Sequence, residues 1–247
     1  MENTIGIAIE TSGRIGSVCL SRGLTVLEEV RFSGKMRHSS ELMPAIKKIT
    51  EKHKLKPSNV GFFFFPIGPG SFTGLRIAVT MAKMLAFALP VRLIAVNSLD
   101  AIAESAMTYL DASSPDITRT ASILDAKKNL FYISMYERNK SAWEKTESDL
   151  LISAEEFLSK YISPCEQKTA LLGEGLVYYR EKFSNEKTFI LPEDFWPACA
   201  QNVLKAGWQK VLAGEFANPD TLLPFYIRRP EAVEKWENRN INKAAQS

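Results

Sequence analysis

Cysteine and histidine are both scarce in this chain: 247 residues carry three of the first and two of the second. Cys19, Cys165 and Cys199 lie far apart and form no C-x-x-C pair, so neither a disulfide framework nor a zinc knuckle can be read from them, and a reducing cytosol fits. His38 and His53 make no H-x-x-x-H or H-E-x-x-H spacing that would put two imidazoles on one helix face. His38, just ahead of a helix start, reads as a solvent-side or capping residue. A long hydrophobic run is missing as well. The apolar stretch from Ile77 to Leu89 is broken by Thr80 and Lys83 and stopped by Pro90, short of the roughly 20 residues of a bilayer span. The opening "MENTIGIAIE" has no basic n-region and reaches a glutamate within ten residues, so a secretory signal is not expected. A cytoplasmic protein without a membrane anchor is the expectation. Charge of one sign is also lacking. A net +3 with scattered basic residues, paired only briefly as in Lys47-Lys48 and Arg228-Arg229, disfavours a strong grip on nucleic acid by this chain alone. No G-x-S-x-G occurs, and Ser71 has no histidine or acid nearby in sequence to activate it.

What is present is the grammar of a folded α/β protein. "IGIAIETS", "GSVCLS" and "LTVLEEVRF" are short β-branched runs separated by glycine-containing breaks, the pattern of a three-stranded meander. In "HSSELMPAIKKITEKH", Leu42, Ile46 and Ile49 recur at helical spacing while Lys47, Lys48, Glu51 and Lys52 take the other side. "VGFFFFPI" is a non-alternating apolar run, as expected of a strand covered on both faces. A glycine turn, a second helix, the strand "VRLIAV" and the helix "SLDAIAESAMTYL" complete a βββαβαβα order. "TASILDAKKNLFYISMYE" then repeats the opening: strand, acid at the strand end, polar turn, strand. Glu10 and Asp125 hold the same place in the two units. "SAEEFLSKY" opens with a capping box, "TALLGEG" is a strand ending in glycines, and "PACAQNVLKAGWQKVLAG" is a helix closed by Gly214. The predicted organisation is an N-terminal domain over residues 1–112, a smaller C-terminal α/β domain over 113–239 and a disordered tail over 240–247. The duplication points to two ribonuclease-H-like units, with a ligand crevice at the carboxyl ends of the strands.

The stretch "PIGPGSFTGLR" joins a strand to a helix. Gly68 and Gly70 open backbone angles closed to other residues, Pro69 stiffens the turn and Ser71 is placed to cap the helix. Two readings stand. The free N–H groups of a helix start favour an anion. The alternative, which the missing lysine of a Walker loop favours, is a tight turn that lets the helix pack closely, since Gly74 is followed by Leu75 and Arg76. In the helix itself Arg76, Thr80 and Lys83 form one narrow polar stripe. The apolar remainder exceeds what one sheet needs, so it meets either the chain's own second half or another protein. Glu10 and Asp125 would hold magnesium across a cleft, as paired carboxylates do in sugar kinases, or would simply cap their own turns.

"GPGSFTGLRIA", from Gly68, Pro69, Gly70, Ser71, Phe72, Thr73 and Gly74 through Arg76, resembles the signature of the bacterial TsaB (YeaZ) family. Supporting matches are "IAIETS", "HSSELMPAI", "ILDAKKNLFYISMY", "GEG" and "FYIRRPEAVEKW". The resemblance implies an actin-like ATPase (ASKHA) fold of two ribonuclease-H-like halves, the second smaller and degenerate. It implies an accessory, non-catalytic subunit with no cofactor of its own and a vestigial nucleotide site at Glu10, Asp125, Gly173 and Gly175. The expected partner is TsaD, which carries the metal and nucleotide and transfers a threonylcarbamoyl group to N6 of the adenosine beside the anticodon in tRNAs reading ANN codons. TsaE joins the assembly, tRNA is met through the complex only, and a homodimer forms when TsaD is absent. By the same resemblance the partner surface lies on the first two helices, with Leu42, Ala45, Ile46 and Ile49 on one and Leu75, Ala78, Met81, Ala82 and Leu85 on the other. A glutamate at Met81 or Leu85 should then block pairing and leave the monomer folded. Glu10 departs from the usual aspartate, and Ala78 stands where glycine is common. The alternatives are an ATP-dependent small-molecule kinase of the same fold and a peptidase, for which no metal pair or activated nucleophile is visible.

Overall fold

The computed structural model describes residues 1–34, 37–140 and 142–227; the expected tail over 240–247 and the last residues of the expected second domain lie outside them. The first unit runs β1 (Ile5–Glu10), β2 (Ser17–Arg22), β3 (Thr25–Arg31), α1 (His38–Lys52), β4 (Val60–Gly68), α2 (Phe72–Ala88), β5 (Arg92–Asn97) and α3 (Ser98–Ser113). The second runs β6 (Arg119–Asp125), β7 (Phe131–Asn139), β8 (Ala142–Lys145), β9 (Leu150–Ile152), α4 (Ala154–Phe157), β10 (Thr169–Leu172), β11 (Thr188–Ile190) and α5 (Ala200–Ala213). Among the described residues, no helix is long and apolar enough to cross a membrane.

The first sheet has the order β3-β2-β1-β4-β5, with β2 antiparallel to both neighbours and β1, β4 and β5 parallel. The second repeats it as β8-β7-β6-β10-β11, again with only the second strand reversed, and β9 adds to β7. The four phenylalanines of β4 show why that strand does not alternate. Phe63 and Phe65 join the core under α1 and α2, while Phe62 and Phe64 face the opposite way onto Trp208 of α5. All four are buried, each contributing on the order of 2 kcal/mol to stability by removal from water.

The helices do not follow the sequence boundary at residues 112–113. From the end of the first unit, α3 sends Leu99, Ile102, Ala106 and Leu110 into the core of the second sheet. From the end of the second unit, α5 lays Ala200, Val203, Leu204 and Trp208 on the first sheet. Gly207 allows the approach, since a Cβ there would stand 2.7 Å from the Phe64 ring. The two helices meet in the middle, where Asn202 Nδ2 donates to Ser105 Oγ at 2.6 Å. After the left-handed cap at Gly214, the chain returns along the first sheet: Ala217 N–H donates to Leu93 O, and Phe225 N–H donates to Ile67 O, both at 2.8 Å. The layers are therefore α1 and α2, first sheet, α5 and α3, second sheet.

Candidate functional site: the glycine loop, the cleft and the two-helix face

The glycine loop is held by its neighbours from both sides. Gly68 has φ +126°, and a Cβ there would meet Phe225 O at 2.4 Å; Gly70 has φ +156° and lies against Ser12. Ser71 N–H donates to Ser12 O at 2.8 Å, and Ser71 Oγ accepts from Gly74 N–H at 3.3 Å as the cap of α2. Gly74 is the tightest point. Thr11 Oγ1 donates to Gly74 O at 2.8 Å, and a Cβ on Gly74 would sit 1.8 Å from Thr11 O. Close packing between the start of α2 and the β1–β2 turn thus accounts for these glycines without an anion.

That turn and the loop line one side of an interlobe cleft of about 850 Å³; Leu124, Asp125, Lys127, Glu174, Tyr178 and Tyr226 are among the residues that complete it. The two strand-end acids each cap their own turn. Glu10 is wholly buried, and its Oε1 accepts from the Ser12 hydroxyl at 2.6 Å, from Gly13 N–H at 3.0 Å and from Ser12 N–H. Its Oε2 is buried and has no hydrogen-bond partner among the described residues. Burial pushes the carboxyl up to about 7, against the pull of its hydrogen bonds and with a small push from the Glu174 charge. Asp125 accepts from Lys127 N–H at 2.7 Å and pairs with Lys127 Nζ at 2.6 Å. Its turn carries Lys127, Lys128 and Asn129 in the left-handed region, at φ 65°, 55° and 60°.

This donor set does not fit a magnesium ion. Magnesium needs ionised oxygens open to the ion and to its waters, whereas Glu10 is wholly buried, its Oε1 is taken up by its own turn, and burial raises its carboxyl above the usual range. Among the described residues, no group of three His, Cys, Asp or Glu is arranged to hold a metal. Gly173 and Gly175 have a packing role. A Cβ on Gly173, at φ +117°, would stand 2.2 Å from Ile123 O, and one on Gly175 would stand 2.8 Å from Ile123 Cγ2.

Sequence reasoning missed the residues that join the lobes across the cleft. Between those two glycines, Glu174 accepts from Arg14 N–H at 2.9 Å and 3.3 Å through its two carboxylate oxygens. Arg14 Nη2 donates to Tyr178 Oη at 3.0 Å, and the guanidinium lies 5.2 Å from the Tyr178 ring centre. The acid of "GEG", flanked by two residues without side chains, was the available signal. His38 is also not where it was expected. It is buried at the first turn of α1, with Nε2 3.1 Å from Gly13 O and the ring 6.0 Å from Phe32, so it ties α1 to the same β1–β2 turn that holds α2.

The two-helix face differs from expectation in its membership. Leu42, Ala45, Ile49, Ala78, Met81 and Ala82 are buried in the chain's own core together with Ile5, Ile7, Phe63 and Phe65, and Leu75 is fully buried as well. The reason is the sheet beneath: each helix lays its densest apolar stripe on it. Ile46 and Leu85 are half-buried and line a groove of about 130 Å³ between the helices, with Met43, Thr50, Pro57 and Met81. The surplus lies outside. Met43 is 59% exposed, Met84 67% and Phe87 97%. No single-face helix needs a phenylalanine there.

The strand order, repeated in two halves with one reversed strand in each, defines the class: an actin-like ATPase (ASKHA) fold of two ribonuclease-H-like units. The family model for TsaD, tRNA N6-adenosine threonylcarbamoyltransferase, matches residues 25–232, and the chain belongs to that family, on its TsaB (YeaZ) branch. It is 27% identical to the tRNA threonylcarbamoyladenosine biosynthesis protein TsaB of Bacillus subtilis, over 93% of this chain and 96% of the relative. The TsaB protein of Escherichia coli is 22% identical over the same shares, 93% and 96%. Among solved structures, YeaZ from Pseudomonas aeruginosa superposes with a TM-score of 0.75 at 23% identity, covering 91% of this chain and 100% of that one.

Proposed function

We propose that this chain is a non-catalytic, partner-binding subunit in the formation of N6-threonylcarbamoyladenosine in tRNA, the pathway for which its Bacillus and Escherichia relatives are named. It pairs with a TsaD-type transferase through the outer face of α1 and α2, and TsaE joins that assembly. Nucleotide, metal and chemistry belong to TsaD, tRNA is reached through the complex, and the chain works in the cytoplasm. The observation that carries this proposal is the apolar knob of Met43, Met84 and Phe87 beside the groove, on helices whose sheet-facing stripes are already satisfied. The burial of Glu10 and the engagement of its Oε1 by the Ser12–Gly13 turn support this reading over a metal-dependent kinase.

The test is reconstitution with TsaD and TsaE of the same organism and an assay of modified tRNA. Phe87→Glu should leave monomer stability within about 0.5 kcal/mol, because the side chain touches almost nothing, and should weaken pairing roughly 30-fold or more, with modification lost in proportion. Met81→Glu should instead unfold the monomer, since an unpaired charge in that core costs about 3 kcal/mol or more. Full modification by the Phe87 variant would refute the docking face. Micromolar Mg-ATP binding with turnover by the isolated chain would favour a kinase.

A further inference from the structure

We propose that the two-helix face accepts a protein partner whose matching surface is apolar at its centre and acidic at its rim, and that like charge opposes its pairing with a second copy of this chain. This rests on the docking role proposed above and adds the chemistry of the partner. The centre is the groove with Met43, Met84 and Phe87. The rim is cationic on every side that the sequence supplies. On α1, Lys47 stands one turn beyond Met43; past its end, Lys54 lies one turn beyond Thr50, and Lys56 adjoins the groove residue Pro57. On α2, Lys83 lies one turn before Phe87, while Arg76 is laid over the Phe72 ring beside the cleft, 4.1 Å from its centre.

Among the described residues, acids are almost absent from this surface. The α2 segment contains no aspartate or glutamate. Glu51 is the acid within the α1 part of the rim, paired with Lys47 at 3.7 Å. The other acids near α1 are engaged elsewhere: Glu28 with Lys52 and His53, Glu41 with Ser33 and Arg37. Lys47, Lys54, Lys56 and Lys83 against Glu51 leave an excess of three positive charges on this rim. Positive charge therefore surrounds this apolar knob and groove. A two-fold pairing sets such a rim against itself, and a partner with carboxylates there is attracted instead.

Salt separates the two, because screening weakens attraction and relieves repulsion. Affinity of the full chain for same-organism TsaD, measured by calorimetry, should fall about tenfold or more between 50 and 500 mM NaCl, while self-association followed by sedimentation should strengthen over the same range. The charge-reversed variant Lys47→Glu, Lys56→Glu, Lys83→Glu should lose about 100-fold in affinity for TsaD at low salt and should reverse the trend with salt. Affinities that ignore both salt and charge reversal would overturn the proposal, as would a homodimer that is tightest at low salt. The wild-type salt series needs no variant and decides the matter even if the triple variant misfolds. Phe87→Glu keeps the two levels apart: if it leaves TsaD binding intact, the docking role itself fails, whereas if it abolishes binding and the charges do nothing, only the acidic-rim inference falls.

Discussion

Exchanging glycine for alanine inside a helix ordinarily stabilises it by about 1 kcal/mol, so Gly74→Ala is a perturbation whose sign the structure must reverse. The added Cβ would stand 1.8 Å from Thr11 O and 2.9 Å from Thr11 C. A carbon–oxygen contact settles at about 3.3 Å, so the first turn of α2 would retreat by about 1.5 Å, the difference between 3.3 and 1.8 Å. That retreat breaks the bonds from Thr11 Oγ1 to Gly74 O and from Ser71 N–H to Ser12 O, both 2.8 Å. Two lost bonds at about 1 kcal/mol each, and a buried Thr11 hydroxyl left unpaired at about 2 kcal/mol, outweigh the helix gain and leave a net loss of about 3 kcal/mol. For a chain of this length the thermal midpoint should drop by roughly 6–12 °C. Differential scanning calorimetry of wild type and variant measures it. Gly34→Ala, where the nearest atom to a Cβ is 3.5 Å away on the Arg37 side chain, is the control and should change little. A Gly74→Ala midpoint equal to or above that of wild type would refute the close-packing account of the loop.

Two further outcomes follow from buried titrating groups. Glu10 sits at about 7 in the folded chain against 4.5 unfolded, so its contribution is fully present below pH 4.5 and is lost as the pH rises through 7. Glu10→Gln should accordingly be more stable than wild type at pH 8 by roughly 3 kcal/mol, with the gap closing near pH 4.5; urea midpoints that differ equally at both values would disprove this. Burial pushes the Cys19 thiol up to about 12 and Cys199 up to about 11, while Cys165 is only half-buried. A disulfide reagent at pH 8 should find one fast thiol in the native protein and three after denaturation, and a second fast thiol would contradict the buried placement.

Periodicity carries the first unit almost entirely, because its strands are long and its helices run 15 to 17 residues. The opening meander, the phenylalanine strand and the three helices all stand where the apolar spacing puts them. The second unit was harder. β8, β9 and β11 have three or four residues each, too few for alternation to register, and Ser153, which caps Glu156 N–H without the reciprocal glutamate bond, opens an α-helix of only four residues. The acids at β1 and β6 do share one structural place, but sequence left open whether they face a ligand or their own turns, which depends on a side-chain direction that no spacing encodes. Which side chains the two-helix face leaves outside was hard to read for a related reason. Periodicity separates apolar from polar around a helix, but it does not say which apolar residues the sheet beneath will claim; Met43, Met84 and Phe87 became visible only when the core was filled.

The exchange of α3 and α5 between the sheets has a consequence for how the chain can be cut. A fragment ending at residue 112 would expose Phe62 and Phe64 as a bare aromatic wall, and its complement would lack the greasy lid of Leu99, Ile102, Ala106 and Leu110. Neither piece should live alone in water, yet co-expressed they carry each other's missing roof and should reassemble. The molecule is a clasped pair rather than two beads on a string.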